Sequence, residues 1–153
     1  MKKFTRILAL CMLVIMVAMT FSSCGVLTLN FTVARVRLEA KGYEVEVTDP
    51  DEIDDESDEA TSLVFLSLIL GETPEKILEA SKDDENISIY KFDRSKDAKD
   101  AKENLEEFRE DYSDDASEDV VSVTRGKLLI IGTEQGVKDA LGFPGSLFVS
   151  LFN

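Results

Sequence analysis

The apolar residues of this chain change period at Gly42, and no other feature constrains the fold as much. Before it, in "NFTVARVRLEAK", Phe31, Ala34 and Leu38 recur at helical spacing behind Asn30, a residue type that caps helix N-termini with its side chain. After it, Tyr43, Val45 and Val47 alternate with Glu44, Glu46 and Thr48, the pattern of a strand with one buried face. Glycine ends helices because it adopts left-handed backbone at no steric cost, so Gly42 is the expected junction, and Pro50 stops the strand. An amphipathic helix running directly into an amphipathic strand predicts mixed layers around one core.

The rest of the chain repeats the alternation. "ATSLVFLSLILG" is apolar at every position from Leu63 to Leu70 except Ser67, so periodicity does not separate helix from strand over 60–70. Its length and Gly71 favour a short helix starting near Asp58 or Ala60. "EKILEASKDDENISIYKFD" reads as two strands, Ile77–Ser81 and Ile87–Phe92, about a turn at Asp83, Asp84, Glu85 and Asn86. Over 74–81 a helix with Thr73 as cap and Pro74 in its first position competes with the first of these strands. Ile87 and Ile89 face opposite to Tyr90 and Phe92, which predicts a central strand. In "SKDAKDAKENLEEFREDY", Ala98, Ala101, Leu105, Phe108 and Tyr112 form one apolar helical stripe. "EDVVSVTRGKLLIIGTEQGVKDALG" holds two strands about Gly126. Thr133 then caps a last helix through Val137, Ala140 and Leu141 that ends at Gly142 and Pro144. The tail "GSLFVSLFN" is apolar enough to be expected to dock on the domain. The order α-β-(α)-ββ-α-ββ-α predicts an α+β fold, a two-layer sandwich with a mainly antiparallel sheet and its helices on one face.

Ahead of this domain, "MKKFTR" places Lys2, Lys3 and Arg6 before the apolar run "ILALCMLVIMVAM", the layout of a secretory signal. The run is short for a permanent span, which needs about 20 apolar residues. Residues 1–23 are therefore expected as a signal peptide and 24–153 as a single extracytoplasmic domain. Phe21, Ser22 and Ser23 precede Cys24, and Gly25 follows. This resembles the lipobox of bacterial lipoproteins, with Phe21 where leucine is commoner. The resemblance implies that Cys24 is residue one of the mature chain and carries the acyl chains that hold it to the membrane. An uncleaved anchor and an incidental thiol beside an ordinary cleavage site are the alternatives. An internal disulfide is not one of them, because the only other cysteine, Cys11, leaves with the signal.

Removing residues 1–23 takes three of the 17 basic residues and none of the 31 acidic ones, which leaves 14 against 31 and a formal charge of −17. Such a surface disfavours nucleic acid and anionic lipid headgroups as direct partners, since phosphate binding requires a basic face. A basic protein surface or small cations fit it. Histidine is absent, so the commonest base and nucleophile pairings and zinc sets are missing, and an enzyme is disfavoured. Carboxylate-only hydrolysis is the remaining enzymatic reading. The run Asp49, Asp51, Glu52, Asp54, Asp55, Glu56, Asp58 and Glu59 offers hard oxygen ligands for calcium. It lacks the glycine and terminal glutamate of a helix-loop-helix calcium site, and a solvated acidic loop over 49–59 is the simpler reading. Tyr43, Tyr90 and Phe92 are read as sheet packing. No catalytic residue, cofactor or metal ligand is assigned.

Lys41-Gly42-Tyr43, Ile89-Tyr90-Lys91-Phe92 before an alanine-spaced helix, and Gly132-Thr133 opening the last helix, taken with "LALCMLVIMVAMTFSSCG", resemble a group of small uncharacterised lipoproteins of Gram-positive, clostridia-like bacteria. The resemblance implies location and fold type and carries no activity. The expectation is a lipid-anchored, non-enzymatic binding domain at the cell envelope, taking an envelope protein or a small ligand as partner. Calcium dependence through the 49–59 loop and carboxylate-only hydrolysis are the alternatives.

Overall fold

The computed structural model of the chain describes residues 29–54, 57–112 and 120–142. The expected signal segment, Cys24, Asp55, Glu56 and the tail "GSLFVSLFN" lie outside the described residues. The elements run α1 (Phe31–Ala40), β1 (Glu44–Thr48), a 3-10 turn (Pro50–Glu52), α2 (Asp58–Leu70), β2 (Lys76–Lys82), β3 (Glu85–Lys91), α3 (Ser95–Tyr112), β4 (Val120–Arg125), β5 (Leu128–Thr133) and α4 (Glu134–Leu141). Among the described residues no helix is long and apolar enough to cross a membrane.

The predicted boundaries have the predicted causes. Asn30 accepts from the Val33 amide at 2.8 Å and starts α1, and Gly42, at φ 85, turns the chain into β1. Thr133 accepts from the Gly136 amide at 3.3 Å and starts α4. Segment 60–70 is helix. Segment 74–81 holds a strand, β2, from Lys76: propensity alone allows a helix there, but β2 lies between β1 and β3 and buries Ile77 on one face and Leu78 and Ala80 on the other. A helix would leave both neighbouring ladders unpaired.

The five strands form one antiparallel sheet in the order β1-β2-β3-β5-β4. β3 and β5 are central, as their two-faced apolar patterns predict, and β1 is an edge. Edge position explains why Val47, read as part of a buried face, is 37% exposed. The α+β sandwich with an antiparallel sheet is the class expected, but its helices are distributed over both faces instead of one. On the first face, Leu78, Ala80, Ile87, Ile89, Leu128 and Ile130 meet Phe31, Ala34 and Leu38 of α1 and Val137, Ala140 and Leu141 of α4. On the second, Ile77, Tyr90, Leu129 and Phe92 meet Leu70 of α2 and Ala98 and Ala101 of α3. The cause is in the central strands: a strand apolar on both sides cannot leave one side to water, so each side takes a pair of helices.

Polar contacts tie the first helical pair together. The Arg37 guanidinium donates from α1 to the Leu141 carbonyl at 2.7 Å, satisfying a C-terminal acceptor of α4 that has no partner within its own helix. Lys41 pairs with Asp139 at 2.7 Å, and the Tyr43 hydroxyl donates to the same carboxylate at 3.1 Å.

Candidate functional site

The second face differs from the first because α2 is an unusual surface helix. Its start and stop are well defined: Ser57 accepts from the Ala60 amide at 3.1 Å, Asp58 and Glu59 complement the dipole in the first turn, and Gly71 ends it at φ 77. Asn104 of α3 donates to the Leu70 carbonyl at 2.9 Å and secures that end. Between these caps the helix is apolar on every side, a composition proper to a buried helix. Yet among its residues only Leu70 is buried, while Val64, Phe65 and Leu68 are 61%, 60% and 75% exposed.

Val64 and Leu68 border an open surface shared with Gly71, Glu72 and Thr73, and of the three only Phe65 lines the space between the helix and the sheet. α2 packs on α3, and Leu63, Leu66 and Leu70 pack against the cluster that holds Ile77 and Tyr90 of the sheet. A groove of about 610 Å³ opens between the helix and the sheet. Ile77 and Tyr90 form its floor, and Phe65, Leu66, Ile69 and Ile53 its apolar wall. Four carboxylates stand on its rim: Asp58 and Glu59 from the first turn of α2, Glu46 from β1 and Glu79 from β2.

Glu46 and Glu79 face each other directly in the β1–β2 ladder. Directly opposed residues have Cβ atoms about 5 Å apart, and like charges so placed destabilise a sheet. Neither has a cationic partner among the described residues. Both are exposed, so water solvates them. Beyond them the same face continues as a polar hollow of about 520 Å³ that adds Glu44, Ser81, Asn86 and Ser88. Tyr90 links the apolar and acidic parts. Burial pushes its hydroxyl pKa above the usual phenol value, a hydrogen bond with Ser88 opposes this, and the Glu79 charge adds to it. The hydroxyl therefore stays protonated and able to donate at neutral pH.

The residues singled out from sequence fall as follows. Cys24 lies outside the described residues. Tyr43 and Phe92 are core residues as expected, whereas Tyr90, though buried, also floors the groove. In the acidic segment, Asp49 caps the 3-10 turn through the Asp51 amide at 3.3 Å and pairs with Lys76 at 3.2 Å. Asp58 and Glu59 serve the start of α2. Among the described residues no three His, Cys, Asp or Glu side chains converge as a metal site. Sequence reasoning missed Glu46 and Glu79. Each sits at the polar position of an alternating strand and reads as solvent-facing; only the register brings them side by side, next to a helix that does not cover them.

Chemically, an apolar floor beside unneutralised carboxylates suits an amphiphilic cation better than a neutral or anionic group. Comparison with protein-family models, with curated proteins and with solved structures finds no match for this chain.

Proposed function

We propose that this chain is a lipid-anchored binding domain on the extracytoplasmic side of a cell membrane, held by acyl chains on Cys24 and taking its partner in the groove between α2 and the sheet. The groove carries the binding half of this reading: an apolar helix closed at both ends by specific caps is kept at the surface, where Phe65, Leu66 and Ile69 line an open groove beside the sheet. A helix of that composition gains little from solvent exposure and much from a partner. The anchoring half rests on "TFSSCG" behind a charged and apolar leader. Two or three acyl chains give stable attachment where a single chain does not. Seven residues take the chain from Cys24 to Phe31, so the start of α1 lies at most about 25 Å from the anchored cysteine.

The anchor is tested by growing cells with radioactive palmitate. Wild-type protein labels and sediments with membranes, whereas Cys24→Ala does neither and retains its leader. Undiminished label in Cys24→Ala would remove Cys24 as the attachment point.

Glu46 and Glu79 give the second reading, carboxylate-only hydrolysis, a specific observation, since register places them directly opposite with Cβ atoms about 5 Å apart, and a retaining glycosidase uses two carboxyl groups close together. Against it, both carboxylates are exposed, and a general acid needs an environment that keeps its proton on. Hydrolysis of an activated aryl glycoside that is lost in Glu46→Gln would establish the enzyme; no turnover leaves binding as the function.

A further inference from the structure

Resting on the groove as the binding site, we propose that its partner is a basic amphipathic segment of another protein. Its apolar side chains seat on Phe65, Ile69, Ile77 and Tyr90, and its Lys or Arg side chains lie over Glu46 and Glu79. Charge complementarity selects this occupant. The rim carries four carboxylates, two of them directly opposed without a cation between them, and a positive side chain placed over them turns their mutual repulsion into attraction.

The same charges argue against the other occupants. A second copy brings its own surplus of acidic residues to an acidic rim, and a bilayer with anionic headgroups does likewise. An uncharged segment fills the apolar wall but leaves the opposed glutamates as they are. Dimensions agree with a peptide: α2 has 13 residues, about 20 Å of helix, and the groove runs beside it, enough for three to four turns of a partner helix. Apolar anchors on one helical stripe with basic residues along its border are how such segments enter grooves.

The test uses the full chain purified from membranes into phosphatidylcholine nanodiscs, with protein-free nanodiscs as the blank. The probe is a synthetic helix of leucine and lysine of about 14 residues, which matches α2 in length. Because the chain has no tryptophan and only three tyrosines, Tyr90 in the groove floor reports occupancy through tyrosine fluorescence. Saturable binding is expected. Glu46→Gln with Glu79→Gln weakens it about tenfold or more, as does Phe65→Ser, whereas the charge-matched control Glu103→Gln with Glu107→Gln on α3 changes it less than about twofold.

Each other result overturns the proposal in a recognisable way. Equal weakening by the control pair, or equally tight binding of polylysine indifferent to Phe65→Ser, makes the attraction one of net charge. Binding seen only after deletion of residues 143–153 assigns the groove to the chain's own tail, and peptide-displaced dimers in sedimentation assign it to a second copy. A leucine and glutamine peptide of the same length that binds as tightly, with sensitivity to Phe65→Ser, keeps the groove as a site but removes the basic partner. Binding of neither peptide removes both.

Discussion

Tyr43 shows how one residue links the two periods of the opening sequence. It follows the glycine that ends α1, is buried on the first face of the sheet, and gives its hydroxyl proton to Asp139 of α4. Burial, the hydrogen bond to Asp139 and that carboxylate's charge push the Tyr43 pKa up to about 12 from the usual 10. Asp139 is penalised by its own burial, but hydrogen bonds from Lys41 and Tyr43 outweigh this and hold its carboxyl below the usual range. A phenol whose pKa is higher folded than unfolded contributes stability that is complete below pH 10 and is lost as pH rises from 10 toward about 12. Urea unfolding measured from pH 8 to pH 12 should therefore show a wild-type stability loss in that window that is much shallower in Tyr43→Phe. At neutral pH the same substitution costs about 1 kcal/mol, the worth of one hydrogen bond, since Lys41 and Gln135 continue to serve the carboxylate. Identical alkaline slopes in the two proteins would show that Tyr43 is not the group responsible. Asp139 acts in the opposite direction: its contribution is present above the ordinary carboxylate range and fades as pH falls through its lowered pKa.

Among the elements, α2 separates what packing requires from what it does not. Leu70 is 1% exposed against α3, whereas Leu68, two positions earlier, is 75% exposed. Leu70→Ala is expected to lose about 2 to 5 kcal/mol, the usual cost of truncating a buried leucine. Leu68→Lys is expected to stay within about 0.5 kcal/mol of wild type. Equilibrium unfolding of the two variants checks this directly, and a large loss for Leu68→Lys would mean that its side chain is covered in the folded chain. Helices α1 and α4 were legible in the sequence because caps and glycine stops are local: Asn30, Gly42, Thr133 and Gly142 act through the backbone within a few residues; α3 was legible through its apolar stripe. Segments 60–70 and 74–81 were ambiguous for the opposite reason. Their conformations depend on whether a neighbour supplies hydrogen bonds, and that neighbour is distant in sequence.

For the whole molecule, charge is the dominant long-range term. The chain carries 31 acidic residues against 17 basic ones, and the ion pairs among its described residues lie mainly at the surface, where each adds little. Raising sodium chloride from about 10 mM to about 0.15 M shortens the screening length from about 30 Å to about 8 Å. It weakens the few attractions and the many repulsions together. Repulsions prevail in so acidic a chain, so the melting temperature, followed by circular dichroism, should rise with salt and level off. A fall would mean that specific ion pairs outweigh the net charge.

By itself the sequence determined the element order, the caps, the central place of β3 and β5, the acidic surface and the expectation of lipid on Cys24. Each follows from local backbone chemistry, apolar periodicity or composition. The tertiary structure decided that helices cover both faces, that α2 packs on α3 and leaves a groove beside the sheet, and that Glu46 stands opposite Glu79. Those are relations between separate segments and not within any one of them. Strand register and helix placement are settled by how all the apolar surfaces are buried at once, and no single segment carries that information.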